Sequence, residues 1–532
     1  MLSRDMTERR CMWLLLVCCA LGLAVPWLLG LTYSARLSSH ASGFYAVPVA
    51  DVVAANAGPR RPRHSVLVVI DGLGHEAART MGAIALLRER GQCRKTAVGA
   101  PSMSRPVYAT ISTGLEQDRT GARGNDDESP LFAESVWDLA RAAGLSVAGI
   151  SEVPWWQELF PRGFTSFELA GLDVDYFARA PAADLVLVHP LYVDEAGHEH
   201  GAASREYEAA VARVDRELTA LLQRLDLAQD LVIVTADHGH SPRGGHGGAQ
   251  EPIANVMTCH AGLGVRHLPD HGHLRITTVG PSLALLLGLP FPAHMRAGDD
   301  ELDVLWDIAD PAVLPADYLA DRRAAVERFR RVNEAALRGW LPASDGSWDR
   351  FYAAHRRSQL LAAVPFAALL GFVLVAQALV HRRRARRDHA RPGALFGLGF
   401  VALFAVVTYA LQVGLRGSFD LSSVAGRGEF IGFTVVLGLA WTTLATLGHW
   451  LLRRDRCALM LDLAALSALG TVLSLAHPVA LGWRLGFPVP PPAIYFFPYF
   501  ATLMLGMLNA VAVAVAALLG LRPYRRRSDM LA

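Results

Sequence analysis

Apolar positions between residues 64 and 300 fall into short β-branched runs separated by segments of helical spacing, whereas after residue 357 they merge into long uncharged blocks. SVLVVI (65–70), DLVLVH (184–189) and LVIVT (231–235) are continuous apolar runs of strand length, the pattern of strands buried on both faces. Helices are predicted over 76–90, 136–144 and 204–225. In the last of these, Tyr207, Ala210, Val211, Val214, Leu218, Leu221 and Leu222 trace one amphipathic face. SVAGI (146–150) follows the second helix as a strand, with Trp155 and Trp156 in the loop after it, and 275–290 supplies a last strand and helix. Strands alternating with helices imply an α/β fold with a mostly parallel sheet covered by helices on both faces.

The uncharged blocks at 12–34, 358–380, 392–415 and 431–452 are each long enough to cross ~30 Å of hydrocarbon as a helix. Two more, 457–476 (interrupted by Asp462) and 494–521, make one N-terminal and five C-terminal transmembrane spans. Asp462 is a functional candidate inside a span, against the plainer reading that it faces neighbouring helices or snorkels to the rim. Basic residues stay on the cytoplasmic side. Arg4, Arg9 and Arg10, the cluster at 381–391, RRDR at 453–456 and the arginines at 522–527 all obey one topology. It puts both termini in the cytoplasm and the block between the first two spans outside it. A cleaved signal peptide in place of the first span would leave that block on the same side. The expected organisation is an anchor (1–34), a tether (35–63), an extracytoplasmic catalytic domain (64–300), a helical connector (301–357) containing a helix around 319–339, and a five-span region (358–532).

The 52% hydrophobic content of the 532-residue chain agrees with membrane insertion. A net charge of +2, explained by the cytoplasmic arginines, gives no ground for nucleic-acid binding. Alanine- and arginine-rich composition favours a bacterial inner membrane with a periplasmic catalytic block, although a secretory lumen satisfies the same topology. Only Cys93 and Cys259 lie in the exported block, either paired or separate, and neither has CxxC metal spacing.

Each long apolar run ends in an acid. Asp71 follows the first, Asp194 and His198 follow the second, and Asp237 and His238 follow the third, with His246 eight residues beyond His238 in a Gly-His-Gly-Gly setting. The carboxyl ends of strands are where open α/β sheets bind ligands. A lone strand-end acid reads equally as a turn or helix cap. Three acid sets, with 13 of the 19 histidines between His64 and His294, favour metal. Mixed carboxylate and imidazole donors suit zinc, with manganese the alternative. Two such ions ~3.5–4 Å apart would clamp an in-line phosphoryl displacement. Ser104, near the start of a predicted helix, is the candidate nucleophile, its plainer reading being an N-cap. His240, His260, His267, His271 and His273 compete with His246 for a ligand role.

VLVVIDGLG, PSMSRPVYATISTG, DEAGHEHGAASREY, TADHGHSPRGGHGG and PSLALLLGLPFP together resemble the alkaline phosphatase superfamily, in its type I phosphodiesterase and GPI ethanolamine phosphate transferase branch, over residues 64–296. The resemblance implies an alkaline-phosphatase-like fold with two divalent ions. Asp71, Ser104, Asp237 and His238 would hold one; Asp194, His198 and His246 would hold the other. Asn125 takes the position of a phosphate-oxygen donor. It further implies a membrane-bound transferase moving phosphoethanolamine from a phospholipid donor to a lipid or glycan acceptor in the envelope through a phospho-serine. The alternatives are a hydrolase with the same site and, from another class, a non-catalytic membrane scaffold or transporter. The sequence departs from the branch at Val107, where relatives often carry Gly or Asn, and from sulfatases at Tyr108, where their motif needs Arg.

Overall fold

In the computed structural model the described residues run from 58 to 340, apart from 100, 123, 126–129, 269–271, 294 and 296–302, with isolated positions on either side. Among them no helix is long and apolar enough to cross a membrane. The six expected spans, with their basic flanks and Asp462, lie outside the described residues but for those isolated positions.

Eight strands form one sheet: β1 (Ser65–Val69), β2 (Gly91–Ala97), β3 (Val147–Ser151), β4 (Ser166–Leu169), β5 (Leu185–His189), β6 (Leu231–Thr235), β7 (Asn255–Gly262) and β8 (His273–Arg275). Their order is β4-β3-β5-β1-β6-β7-β2-β8. All neighbours are parallel except β7, which runs antiparallel to both β6 and β2. The mostly parallel α/β sheet expected from sequence is therefore present. The four inner strands β1, β3, β5 and β6 are buried at every position, as the continuous apolar runs require of a sheet covered on both faces. The covering helices fall into two packed groups. One contains α1 (Gly82–Arg90), α4 (Tyr192–His200) and α5 (Arg205–Arg224); the other contains α2 (Ser104–Thr113), α3 (Val136–Ala142) and α6 (Val279–Leu287).

The strand expected at the start of 275–290 instead ends at Arg275 as β8, and Ile276–Thr278 form a 3-10 helix leading into α6. Three further strands were not legible in the hydrophobic pattern. β4 is short and half-exposed. β2 and β7 carry buried polar side chains whose partners come from elsewhere in the fold. Gln92 donates to the carbonyls of Arg266 (2.9 Å) and Asp307 (3.2 Å), and His260 meets the Ser282 hydroxyl at 2.9 Å. The helix expected over 76–90 is broken in two, His75–Ala78 and α1, because Met81 is extended and the Asp215 carboxylate of α5 accepts from the first amides of α1, Gly82 and Ala83, at 2.9 and 2.8 Å. Trp155 and Trp156 lie in a short helix, Trp155–Leu159, rather than a loop. The helix expected around 319–339 spans Ala316–Trp340 (α7). Its first turns pack on the sheet domain, with Tyr318 donating to the Leu285 carbonyl (2.7 Å) and buried Arg322 to that of Leu289 (3.0 Å).

Cys93 and Cys259 face each other directly across β2 and β7 and form a disulfide in the buried sheet, closing 166 residues of separation. A cross-link over so long a loop restricts the unfolded chain strongly. The double variant Cys93→Ala with Cys259→Ala is expected to lose ~2–5 kcal/mol of unfolding free energy, read from denaturant midpoints. Equal midpoints with and without the bond would contradict this.

Candidate active site

β5, β1 and β6 are adjacent and in parallel register, so their carboxyl ends lie side by side. This is why acids distant in sequence meet. Asp71 leaves β1, Asp194 lies in the first turn of α4 just past β5, and Asp237 and His238 leave β6. Helix α5 secures the first of these turns: the Tyr207 hydroxyl donates to the Gly72 carbonyl (2.8 Å) and accepts from the Gly74 amide (3.3 Å).

One group gathers Asp71, Asp237 and His238, all buried. The Asp237 Oδ1 accepts from the amides of Gly72 (3.1 Å) and His238 (2.9 Å), while its Oδ2 has no hydrogen-bond partner among the described residues. The Asp71 Oδ2 accepts from the Tyr108 hydroxyl, and its Oδ1 is likewise without a partner among the described residues. These two lone oxygens stand 3.3 and 3.4 Å from the His238 Nε2. The Ser104 hydroxyl stands 3.4 Å from the same nitrogen. Buried carboxylate oxygens left unpaired around an imidazole lone pair fit a divalent cation, and carboxylate with imidazole is the donor chemistry of zinc.

Beside it Asp194, His198 and His240 form a second group, and Asp194, His238 and His246 a third that shares His238 with the first. The His198 Nε2 lies 3.5 Å from the Asp194 Oδ2 and 3.1 Å from the His246 Nε2. The His240 Nε2 lies 2.7 Å from the Asp194 Oδ1. The rings of His238, His240 and His246 each place Nδ1 against a backbone carbonyl, of Gly239 (3.2 Å), Gly244 (2.7 Å) and Ser102 (2.9 Å). A carbonyl only accepts, so Nδ1 carries the proton in each ring and Nε2 offers its lone pair to the cluster, the outer-shell arrangement that fixes metal-binding tautomers. His246 ties the two halves together. The Ser102 hydroxyl donates to the Gly248 carbonyl (2.7 Å) and accepts from the Gly247 amide (3.1 Å), so the glycine-rich loop is stitched to the segment leading into Ser104.

Ser104 is the first residue of α2, where free amides and the helix dipole favour negative charge. Asn125 accepts from the Arg105 amide through Oδ1 at 3.1 Å. That bond ties the Asn125 side-chain amide to the residue after the nucleophile. Every sequence-predicted site residue thus falls at this one end of the sheet.

Electrostatics carry the same message of crowded negative charge. Burial and the neighbouring Asp71 raise the Asp194 carboxyl to about 7. Burial, with Asp71 and Asp194 nearby, raises Asp237 well above the carboxylate range. For Asp71 the cost of burial is outweighed by His189 and His238, which hold it below that range. Burial lowers His238 to about 4 and depresses His240 and His246, so these rings are neutral at neutral pH. A cation entering the site competes with protons on the raised carboxyls, not with protons on the rings. Asp194 is protonated below about 7, so metal affinity is expected to fall as pH falls through that value, by about tenfold per pH unit for each proton displaced. Chelator-competition titrations between pH 5.5 and 8, values on the order of one unit either side of that pKa, would read this; a flat profile would contradict it.

Two residues at the site were not singled out from sequence as functional, Tyr108 and His189. Tyr108 reads as a core aromatic of α2, one turn after Ser104. In the structure it is wholly buried, stacks on Trp156 (4.3 Å between ring centroids, 14° between planes) and donates to Asp71. His189 reads as the end of a strand. Its Nδ1 meets the Ser151 hydroxyl at 2.7 Å, and its Nε2 points at the Asp71 Oδ2 from 3.3 Å. Both hold one oxygen of Asp71 so that the other faces His238. Tyr108→Phe keeps the ring stack and removes only the hydroxyl; it is expected to weaken metal binding about 10–100-fold. Zinc titration of wild type against variant measures this, with equal affinities the contrary result.

Residues 151–250 match the sequence model of the family described as type I phosphodiesterase / nucleotide pyrophosphatase. GPI ethanolamine phosphate transferase 3, catalytic subunit, of Mus musculus is 27% identical over 222 residues, 38% of this chain and 20% of that protein. GPI ethanolamine phosphate transferase 2, catalytic subunit, of Homo sapiens is 25% identical over 260 residues, 43% of this chain and 26% of that protein. The chain thus spans about a fifth to a quarter of the length of these relatives. Among solved structures, murine ectonucleotide pyrophosphatase / phosphodiesterase 5 aligns with 47% of this chain and 100% of that one, at 13% identity and a TM-score of 0.37. The resemblance to this branch of the alkaline phosphatase superfamily, read first from motifs, is therefore shown by the family match and the curated relatives together.

Proposed function

We propose that the chain is a membrane-anchored phosphoryl-group transferase of the alkaline phosphatase superfamily that moves phosphoethanolamine from a phospholipid to an acceptor hydroxyl in the cell envelope. The observation that carries this is the placement of Ser104: a serine hydroxyl at a helix N-terminus, 3.4 Å from the His238 Nε2, among carboxylate oxygens with no protein partner. The ethanolamine phosphate transferase relatives support the choice of head group.

In this reading Asp71, Ser104, Asp237 and His238 would hold one divalent ion and Asp194, His198 and His246 the other, with zinc favoured by the mixed carboxylate and imidazole donors. Such ions supply Lewis acidity, favour the ionised serine oxygen and offset charge on the phosphoryl group. The chain's own residues do the rest. The Ser104 Oγ attacks phosphorus, a new O–P bond forms, and the bond from phosphorus to the glyceride oxygen breaks, releasing the lipid alcohol. The α2 amides and the Asn125 NH2 orient and stabilise the phosphoryl oxygens. The acceptor oxygen then displaces Ser104, restoring the hydroxyl. Asp237 is held by two backbone amides and Asp71 by Tyr108, so these side chains need no rearrangement as charge moves.

The six expected hydrophobic spans and the arginine distribution support a site on the extracytoplasmic face, in this reading a bacterial periplasm, with both termini in the cytoplasm; a secretory lumen satisfies the same topology. The Cys93–Cys259 disulfide supports an oxidising compartment. The match to a phosphodiesterase and pyrophosphatase family favours one second reading, hydrolysis through the same serine with water as acceptor. Purified full-length protein given head-group-labelled phosphatidylethanolamine and membrane extract separates the two. Label on a lipid or glycan supports transfer; label released only as free phosphoethanolamine supports hydrolysis; no release from any phospholipid contradicts both.

A further inference from the structure

His240 is 2% exposed and sits between the two halves of the site. Its Nδ1 lies 2.7 Å from the Gly244 carbonyl, and its Nε2 points at the Asp194 Oδ1, also 2.7 Å away. The surrounding backbone is shaped for this ring. A Cβ on Gly197, midway along α4 between Asp194 and His198, would stand 2.4 Å from the His240 Cδ2 and 2.6 Å from its Nε2, and one on Gly72 would stand 2.9 Å from the same Nε2. The ring therefore occupies the space that two glycines leave open, one of them inside the helix that carries two site residues. The rings of His198 and His240 lie edge to face, 4.9 Å between centroids, and the Nε2 of His240, the Nε2 of His198 and an Asp194 oxygen fall in one ligand-sized group.

We infer that His240 is a direct ligand of the ion held by Asp194 and His198, giving that ion three imidazoles and one carboxylate as protein donors. The inference rests on the two-ion reading proposed above and adds a donor to it. It makes the two sites chemically unequal. The Asp71 site offers one imidazole against two carboxylates and a serine oxygen, which a hard ion such as manganese accepts; the Asp194 site is nitrogen-rich and selects zinc or cobalt over manganese. Ligand atoms sharing a tetrahedral zinc stand about 3.3 Å apart. The 3.1 Å between the His198 and His246 nitrogens is close to that spacing, and His240 and Asp194 reach it by parting slightly.

The test uses full-length protein stripped with chelator and titrated with cobalt and zinc, followed by equilibrium dialysis and by the visible absorption of bound cobalt. Wild type is expected to take two ions. His240→Ala is expected to weaken one of them by more than the ~10–100-fold that loss of an outer-shell partner costs, to change the cobalt band of that site, and to recover affinity when free imidazole is added. Two ions with unchanged affinity and an unchanged band in His240→Ala overturn the assignment while leaving the two-ion reading intact; a wild type that takes no ion overturns both. Should the variant fail to fold, cadmium-113 NMR of wild type labelled with nitrogen-15 in histidine decides the point. A cadmium coupling assigned to the His240 ring nitrogen supports it as a ligand, and a His240 ring without cadmium coupling refutes it.

Discussion

Ser104→Ala is expected to lower turnover on the order of 10^4-fold or more while metal remains bound, because the substitution removes the attacking oxygen and leaves Asp71, Asp237 and His238 in place. The expectation is large because the serine is the only hydroxyl described against the His238 Nε2. Its neighbours Ser102 and Tyr108 are committed elsewhere, one to the His246 loop and one to Asp71. The residual rate would come from the positioning and electrostatics of the remaining site acting on water. Steady-state release of labelled head group, with zinc content measured on the same preparation, reads both halves of the prediction. A fully active variant would remove Ser104 from the chemistry.

Asp237→Asn is the second substitution of large expected effect, and its consequences for stability and for metal run in opposite directions. The Oδ1 of Asp237 is fixed by the amides of Gly72 and His238, and an asparagine oxygen keeps both bonds. The Oδ2 has no partner, and burial beside Asp71 and Asp194 makes the ionised form costly. The metal-free fold is thus expected to be as stable as wild type or more so. Zinc binding should suffer, since a neutral amide replaces an anionic donor. Wild type at zinc a hundredfold above its Kd gains about 2.7 kcal/mol, and the variant should gain far less under the same conditions. Thermal unfolding with and without zinc measures the difference. Equal zinc-induced shifts in the two proteins would place the ion away from Asp237.

The inner sheet was legible because β1, β5 and β6 are buried on both faces, a demand that leaves unbroken apolar runs in the sequence. An acid follows each run within five residues, and parallel register carries those acids to one edge, so Asp71, Asp194 and Asp237 were legible with it. β2 and β7 were hidden because Gln92 and His260 are satisfied by partners distant in sequence, which no local periodicity records. The break before α1 was hidden for a related reason: the cap comes from Asp215, on another helix. Tyr108 and His189 illustrate the same limit within the site. An aromatic in a helix and a histidine ending a strand have ordinary structural explanations, and only the folded arrangement reveals that both face the Asp71 Oδ2. His240 was visible as a competitor of His246, but its direction depends on the space left by Gly197 and Gly72.

The disulfide and the sequence topology bear on where the reaction occurs, the cluster on what it is. They meet in one statement, that a covalent group passes through Ser104. Mass spectrometry of full-length protein quenched during turnover on phosphatidylethanolamine tests it most directly. A phosphoethanolamine increment is expected on the peptide that contains Ser104, absent from Ser104→Ala and discharged when acceptor is supplied. Sustained turnover with that peptide unmodified at every quench time, or with the increment on another residue, would contradict it.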